Sequence, residues 1–193
     1  MTKAIRVHKP GPPSCMKWEE LDVPDPKKGE VRIRNSAVGL NFIDTYHRKG
    51  LYPIPTPFTP GMEGAGMVEA VGRGVKNVKI GDRVTYASEP MGSYAEMRLF
   101  PADRVMKIPD GISDEQAASM MLKGMTAAML LRRIYRPAKG DTVLIHAAAG
   151  GVGLILVQWA KHLGATVIGT VGSAAKGRLV RAHGCDHVID YSK

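Results

Sequence analysis

The stretch Thr142-Val-Leu-Ile-His-Ala-Ala-Ala-Gly-Gly-Val-Gly-Leu-Ile-Leu-Val-Gln-Trp-Ala-Lys161 decides the fold. Val143, Leu144 and Ile145 form a short apolar run behind the turn signal Lys139-Gly140-Asp141, which suits a central strand of a parallel sheet. Ala148-x-Gly150-x-x-Gly153 follows, the dinucleotide spacing with alanine in the first glycine place. A pyrophosphate needs main-chain N–H groups close by, and a side chain at Gly150 would hold it off. Gly153 lets the new helix lie against the strand, and the helix N-terminus adds partial positive charge. Leu154, Val157 and Ala160 keep helical spacing up to the stop at Gly164, and Thr166–Thr170 reads as the next strand.

The residues beyond that second strand distinguish the dinucleotide. An NAD site usually has an acidic residue roughly 20 positions after the turn, holding the ribose hydroxyls. Here the segment is Thr170-Val-Gly172-Ser-Ala-Ala-Lys176-Gly-Arg178, with a hydroxyl and two cations in place of a carboxylate. That suits the additional phosphate of NADP, although Lys176 and Arg178 also fit a solvated helix face.

The 193 residues are 44% hydrophobic, enough for a real core in one or two domains. No apolar run is long enough to span a bilayer, and the N-terminus starts as a strand with no secretory signal. Cys15 and Cys185 lie far apart without metal-type spacing, so a reducing, cytoplasmic setting is expected. The formal charge of +9 is spread along the chain rather than gathered in an arm, which argues against nucleic acid as the main partner.

Outward from the central motif, the first half is rich in alternating strands. Ile5 and Val7 alternate with Arg6 and His8, Val31 and Ile33 with Arg32 and Arg34, Val84 and Tyr86 with Arg83 and Thr85. Ala95, Met97 and Leu99 alternate with Glu96 and Arg98, which puts Arg98 on the polar face. Glycine and proline punctuation between these runs suggests a small barrel-like domain. Asp44–Lys49 reads as a short helix, followed by a proline-rich irregular segment to Pro60. Ser113 and Gln116 form a capping box for a helix through Met121, and a second helix is expected from Thr126 to Tyr135. The methionines at 120, 121, 125 and 129 read as core or interface filling. Glu63 reads as a structural hydrogen-bond acceptor and His146 as a satisfied buried histidine. A helix from Ala174 to His183 and a strand from His187 complete β-α-β-α-β, one mononucleotide-binding half of a dinucleotide fold.

With these residues in view, the chain resembles the medium-chain dehydrogenase/reductase superfamily, and within it the zinc-free, ζ-crystallin-like quinone oxidoreductases. The likeness rests on Gly39-Leu-Asn-Phe-Ile-Asp-Thr-Tyr46, Gly50-Leu-Tyr-Pro53, Gly61-Met-Glu-Gly-Ala-Gly66, Gly81-Asp-Arg-Val84, Lys123-Gly-Met-Thr-Ala127 and His146-Ala-Ala-Ala-Gly-Gly-Val-Gly153, in that order. It covers about the first three-fifths of a family member. The fold implied is α/β plus β: a GroES-like, partly open β-barrel domain over residues 1–124, lacking its C-terminal strands, then a partial Rossmann domain over 125–193. Zinc relatives place cysteine at Asn41 and histidine at Met62, and neither amide nor thioether is a good zinc ligand, so no metal is expected.

The resemblance implies hydride transfer from NADPH to a quinone, with reduction of α,β-unsaturated carbonyls as the near alternative. It implies that Asn41, Tyr46 and Tyr52 line the nicotinamide and quinone end. Asn41 would anchor the cofactor or polarise a carbonyl, the tyrosines would shape a slot for a flat ring, and Asp44 would orient or cap. Thr126 would sit near the ribose or nicotinamide, and Gly150, Gly151, Val152 and Gly153 at the pyrophosphate. Gly172, Ser173, Lys176 and Tyr191 would surround the adenosine ribose phosphate. Family members are often homodimers. RNA binding or a structural use, known among relatives, remains as a rival. Another rival is a fragment with weak or no turnover, since the second nucleotide half is missing.

Overall fold

The computed structural model describes residues 1–192. The chain divides into two compact units, Met1–Leu122 and Lys123–Lys193. In the first, β1 (Thr2–Val7) and β2 (Met16–Leu21) form an antiparallel pair. The strands β3 (Glu30–Val38), β4 (Glu63–Val71), β5 (Arg83–Ala87), β6 (Met97–Pro101) and β7 (Met106–Lys107) form a five-stranded sheet in the order β6-β3-β4-β5-β7. Two isolated bridges, Ala4 to Ala95 and Val7 to Phe58, tie β1 to this half without closing a barrel among the described residues. The helix α1 (Phe42–Lys49) projects between β3 and β4 in sequence and ends at Gly50, whose φ of 78° is the left-handed conformation that stops a helix.

The core of this unit is Val31, Ile33, Val68, Val84, Tyr86 and Phe100, all essentially inaccessible. One strand has the opposite facing to that expected from alternation. In β6 the buried side carries Arg98 and Phe100, while Met97 and Leu99 are only half-buried. Long apolar residues occupy both phases of this strand, so alternation could not choose between them. The buried choice lets the Arg98 guanidinium lie 4.9 Å from the centroid of Tyr86 and 4.6 Å from that of Phe100.

The helix α2 (Asp114–Met129) runs unbroken where two helices were expected, and a π-helical turn, Leu130–Ile134, continues it. Its start is the expected reciprocal capping box: Ser113 N–H donates to Gln116 Oε1 at 2.9 Å, and Gln116 N–H donates to Ser113 Oγ at 3.2 Å. Gly124 lies in the gap between the two expected helices; it costs a helix only about 1 kcal/mol and is carried through. Of the methionines on α2, Met120, Met125 and Met129 are about half exposed and do not fill a core.

The second unit contains β8 (Thr142–Ile145), α3 (Gly151–His162), β9 (Thr166–Val171), α4 (Ala174–Ala182) and β10 (His187–Asp190). Its parallel sheet has the order β10-β9-β8. Among the described residues β8 is therefore an edge strand rather than the central one expected, and Leu144 is 54% exposed. Local apolar character indicates a strand but says nothing of how many neighbours it has. Val157, Val167, Val171 and Val180 are fully buried between helices and sheet, each contributing about 1.5–3 kcal/mol. Cys185 is also buried, its thiol donating to His187 O at 3.1 Å, and burial pushes its pKa up.

Asp186 joins the loop before β10 to both neighbouring elements. It accepts from Lys161 Nζ at 2.5 Å and from Val167 N–H at 2.8 Å, and these two bonds hold its carboxyl below the ordinary value of 3.8. A depressed folded-state pKa gives stability that is present above the unfolded value and lost as pH falls through the folded one. Asp186→Asn is therefore expected to be less stable than the unsubstituted chain near neutrality. The two urea-unfolding curves should converge as pH falls from about 5 towards about 1. A constant gap across that range would contradict this role.

Candidate functional site

The elbow expected to bind phosphate is built where β8 gives way to α3. Ala148 N–H donates to Thr170 O at 3.0 Å and Ala147 N–H to Thr170 Oγ1 at 3.3 Å, anchoring the end of β8 to the end of β9. Ala147 has φ 49°, the left-handed region that costs a residue with a Cβ about 1–2 kcal/mol. Gly150 caps α3, whose first closing bond is Leu154 N–H to Gly150 O at 2.9 Å. The N–H groups of Gly151, Val152 and Gly153 precede that bond and form the donor end of the helix. A Cβ on Gly153 would stand 2.4 Å from Ala147 O and 2.7 Å from Ala148 O, so only glycine permits the helix to start this close to the strand. Gly150 and Gly151 are exposed, leaving the donor end open. This cradle fits a pyrophosphate: main-chain amides at the N-terminus of a helix that begins on glycine.

The other expected cofactor residues lie at the same carboxyl edge of the sheet. Gly172 follows β9, and Ser173 is the N-cap of α4, its Oγ accepting from Lys176 N–H at 3.3 Å. Lys176 is exposed in the first turn of α4. Tyr191 follows β10, and a Cβ on Gly172 would meet its hydroxyl at 2.9 Å. The four are thus neighbours, and none is a carboxylate. Thr126 is half-buried on α2, three residues after Lys123. Lys123 was missed in the sequence: its side-chain methylenes lie over Gly151, with Cδ 2.7 Å from where a Cβ would be. No local spacing signals that approach, because the helix and the loop meet only in the folded unit. His146 is exposed rather than buried, its Nδ1 3.2 Å from Thr170 Oγ1. It projects from an edge strand, which leaves its ring in solvent.

Asn41, Tyr46 and Tyr52 gather around α1 in the first unit. Asn41, 7% exposed, is the N-cap; its N–H donates to Asp44 Oδ2 at 2.9 Å. Asp44 also accepts from the Tyr94 hydroxyl at 2.8 Å, which keeps that phenol protonated far above its usual range, with burial the larger cause. Asp44 is thus the capping residue that its sequence position suggested. Past Gly50 the chain turns back, Leu51 N–H donating to Tyr46 O at 2.9 Å. The rings of Tyr46 and Tyr52 then meet edge to face at 5.4 Å, and Phe42 stands against Tyr46 at 5.2 Å. Tyr52 and Phe42 are 49% and 74% exposed, so this aromatic wall is open to a flat ligand. Phe42 was not anticipated as part of it.

Beneath Asn41 lies Glu63, the first residue of β4 and wholly inaccessible. Its Oε2 accepts from Asn41 Nδ2 at 2.7 Å and its Oε1 from Leu122 N–H at 2.8 Å. Met62, beside it, presents a thioether. A groove of about 390 Å³ elsewhere on this unit is lined by Trp18, Val38, Leu40 and Tyr94, and includes none of Asn41, Tyr46 and Tyr52.

Residues 27–110 match the family model for the alcohol dehydrogenase GroES-like domain, and residues 151–193 that for zinc-binding dehydrogenase. A quinone oxidoreductase of Pseudomonas aeruginosa is 51% identical over 193 residues, covering 100% of this chain and 59% of its own length. The chain is thus similar along its whole length to quinone oxidoreductases. A 2-haloacrylate reductase of a Burkholderia species is 48% identical, with 100% of this chain and 60% of that protein covered. The Escherichia coli quinone oxidoreductase solved in complex with NADPH superposes with a TM-score of 0.96 at 47% identity, covering 99% of this chain and 59% of that one. The chain thus spans about three-fifths of the length of these relatives. The match to a zinc-named model over 151–193 lies in the second unit, which contains neither Asn41 nor Met62.

Proposed function

We propose that this chain contributes the NADPH site and the aromatic substrate wall of a zinc-independent quinone reductase of the cytoplasm. One observation carries the cofactor reading: a cradle of main-chain amides at Gly150, Gly151, Val152 and Gly153 is followed, at the adenosine end, by Ser173 and Lys176 instead of an acid. NADPH supplies a hydride when bound. The residues here bind, orient and exclude water. Cradle amides take the pyrophosphate, Ser173 and Lys176 take the ribose phosphate with Gly172 and Tyr191 shaping the pocket, and Thr126 faces the ribose. Tyr46 and Tyr52 receive a planar quinone, and Asn41 anchors beside them. Asn41 and Met62 supply an amide and a thioether where zinc relatives have ligands, which supports chemistry independent of zinc. Two NADPH-bound or quinone-reducing relatives at 47–51% identity support the same reading.

Reversing the charge at the adenosine end tests the cofactor directly. Lys176→Glu is expected to weaken NADPH binding about tenfold, the loss of one charge-assisted contact, and to leave NADH binding nearly unchanged. Equal losses for the two cofactors, read by calorimetric titration, would remove Lys176 from the phosphate site. Reduction of α,β-unsaturated carbonyls is a second reading, favoured by the 48% identity to a 2-haloacrylate reductase. Homodimer formation by the full-length form is proposed with it.

A further inference from the structure

We propose that Thr170 is a positioning residue of the phosphate cradle: its hydroxyl holds Ala147 in the left-handed turn that leads into α3, and fixes the His146 ring in one tautomer. This role rests on the NADPH reading above and adds to it the side chain that shapes the cradle. All the residues involved belong to the second unit. The β8–β9 ladder ends where Ile145 lies opposite Gly169. From there Thr170, 8% exposed near the end of β9, takes over the three residues that follow β8. Its Oγ1 accepts from Ala147 N–H at 3.3 Å and lies 3.2 Å from His146 Nδ1, and its main-chain oxygen accepts from Ala148 N–H at 3.0 Å. Gly169 makes room for this crossing, since a Cβ there would stand 2.8 Å from that of Ala148. Held in this way, Ala147 takes a φ of 49°, a conformation that a residue with a Cβ adopts only at a cost. The turn carries Ala147 O towards the new helix. It accepts from Gly150 N–H at 2.8 Å, and it is the oxygen that a Cβ on Gly153 would meet at 2.4 Å.

The hydroxyl hydrogen decides the tautomer. A threonine hydroxyl donates once and can accept besides, whereas a main-chain N–H only donates. The bond from Ala147 therefore uses a lone pair of Oγ1 and leaves the O–H to donate, and the acceptor it meets is His146 Nδ1. A neutral imidazole that accepts at Nδ1 carries its proton on Nε2. One hydroxyl thus ties a side chain and a main-chain amide of consecutive residues. His146 and Ala147 are exposed, so water can replace Oγ1 as their partner, but water does not fix their direction. Thr170 contributes the shape of the elbow rather than a contact with the cofactor.

The test titrates NADPH calorimetrically and follows folding by urea unfolding. Thr170→Val keeps the shape and loses the hydroxyl, and is expected to bind NADPH about five- to tenfold less tightly, the worth of one hydrogen bond. Thr170→Ser, which keeps the hydroxyl, should stay within about twofold of the unsubstituted chain. Glycine takes the left-handed turn freely, so Ala147→Gly should restore the affinity of Thr170→Val to within about twofold while changing little by itself. Nitrogen NMR at about pH 8, where imidazole is neutral, should place the His146 proton on Nε2 in the unsubstituted chain and show mixed tautomers in Thr170→Val. A hydroxyl that serves only the fold would move the urea midpoint of Thr170→Val and leave NADPH affinity alone. That result, or a His146 proton on Nδ1 in the unsubstituted chain, overturns the assignment of Thr170 and spares the cofactor reading. If Thr170→Val does not fold, the double variant Ala147→Gly/Thr170→Val decides: normal affinity supports the assignment and weakened affinity overturns it. Failure of the unsubstituted chain to bind NADPH at all overturns both.

Discussion

Gly153→Val is expected to lower NADPH affinity at least about a hundredfold and to cost about 1–3 kcal/mol of stability. Both effects have one cause. The added carbon atoms would run into the carbonyl oxygens of Ala147 and Ala148, 2.4 and 2.7 Å from the first of them, and main chain cannot swing aside as a long side chain does. Helix α3 must back away from β8, carrying the amides of Gly151 and Val152 out of the arc in which they converge. Gly150→Ala is the informative partner. Its Cβ would meet only Ala147 O, at 3.1 Å, so the fold accommodates it with a small shift while a methyl group now faces the phosphates. Affinity should fall with little change in urea unfolding. If Gly153→Val binds NADPH normally, the cradle is not the phosphate site.

Arg98→Ala is expected to be the most destabilising single change in the first unit, by about 3–5 kcal/mol in urea unfolding. The side chain is 6% exposed, stacked on Tyr86 and Phe100, and its Nη2 donates to Pro90 O at 2.6 Å and Met91 O at 3.1 Å. Burial lowers its own pKa and raises that of Tyr86, so the pair sits in a region that tolerates charge poorly. Truncation removes the stack, opens a cavity and leaves two carbonyls without their donor. Arg98→Met keeps most of the stem and should lose less, which separates packing from hydrogen bonding. A loss below about 1 kcal/mol for the alanine variant would mean that the loop from Pro90 to Met91 finds other donors.

These two residues also mark how far the sequence could be read. Gly153 was legible because its constraint is local: strand, turn and helix are contiguous, and the glycine spacing records how closely they approach. The capping role of Asp44 and the box at Ser113 and Gln116 were legible for the same reason, whereas α1 begins at Phe42, two residues before the expected start, with Asn41 as its N-cap. Arg98 was misread because a two-residue period has two phases, and both held long side chains; stacking on Tyr86 and Phe100, distant in sequence, chose between them. The edge position of β8 and the exposed ring of His146 depend on sheet order, which no single segment encodes. Lys123 over Gly151 and Glu63 under Asn41 are meetings of separate elements. Glu63 could be suspected from its setting among glycines, but its bonds to Asn41 and Leu122 could not.

Quinones and enones are alkylating agents as well as hydride acceptors, and a protein handling them is at risk from its own sulfur. Only a thiolate adds readily to such an electrophile. Cys185 is kept out of reach twice over, enclosed by the second unit and biased towards its protonated form. Packing chosen for a hydrophobic interior thereby also shields this thiol from the compounds the protein is proposed to turn over, while Cys15, only partly buried, lacks that enclosure.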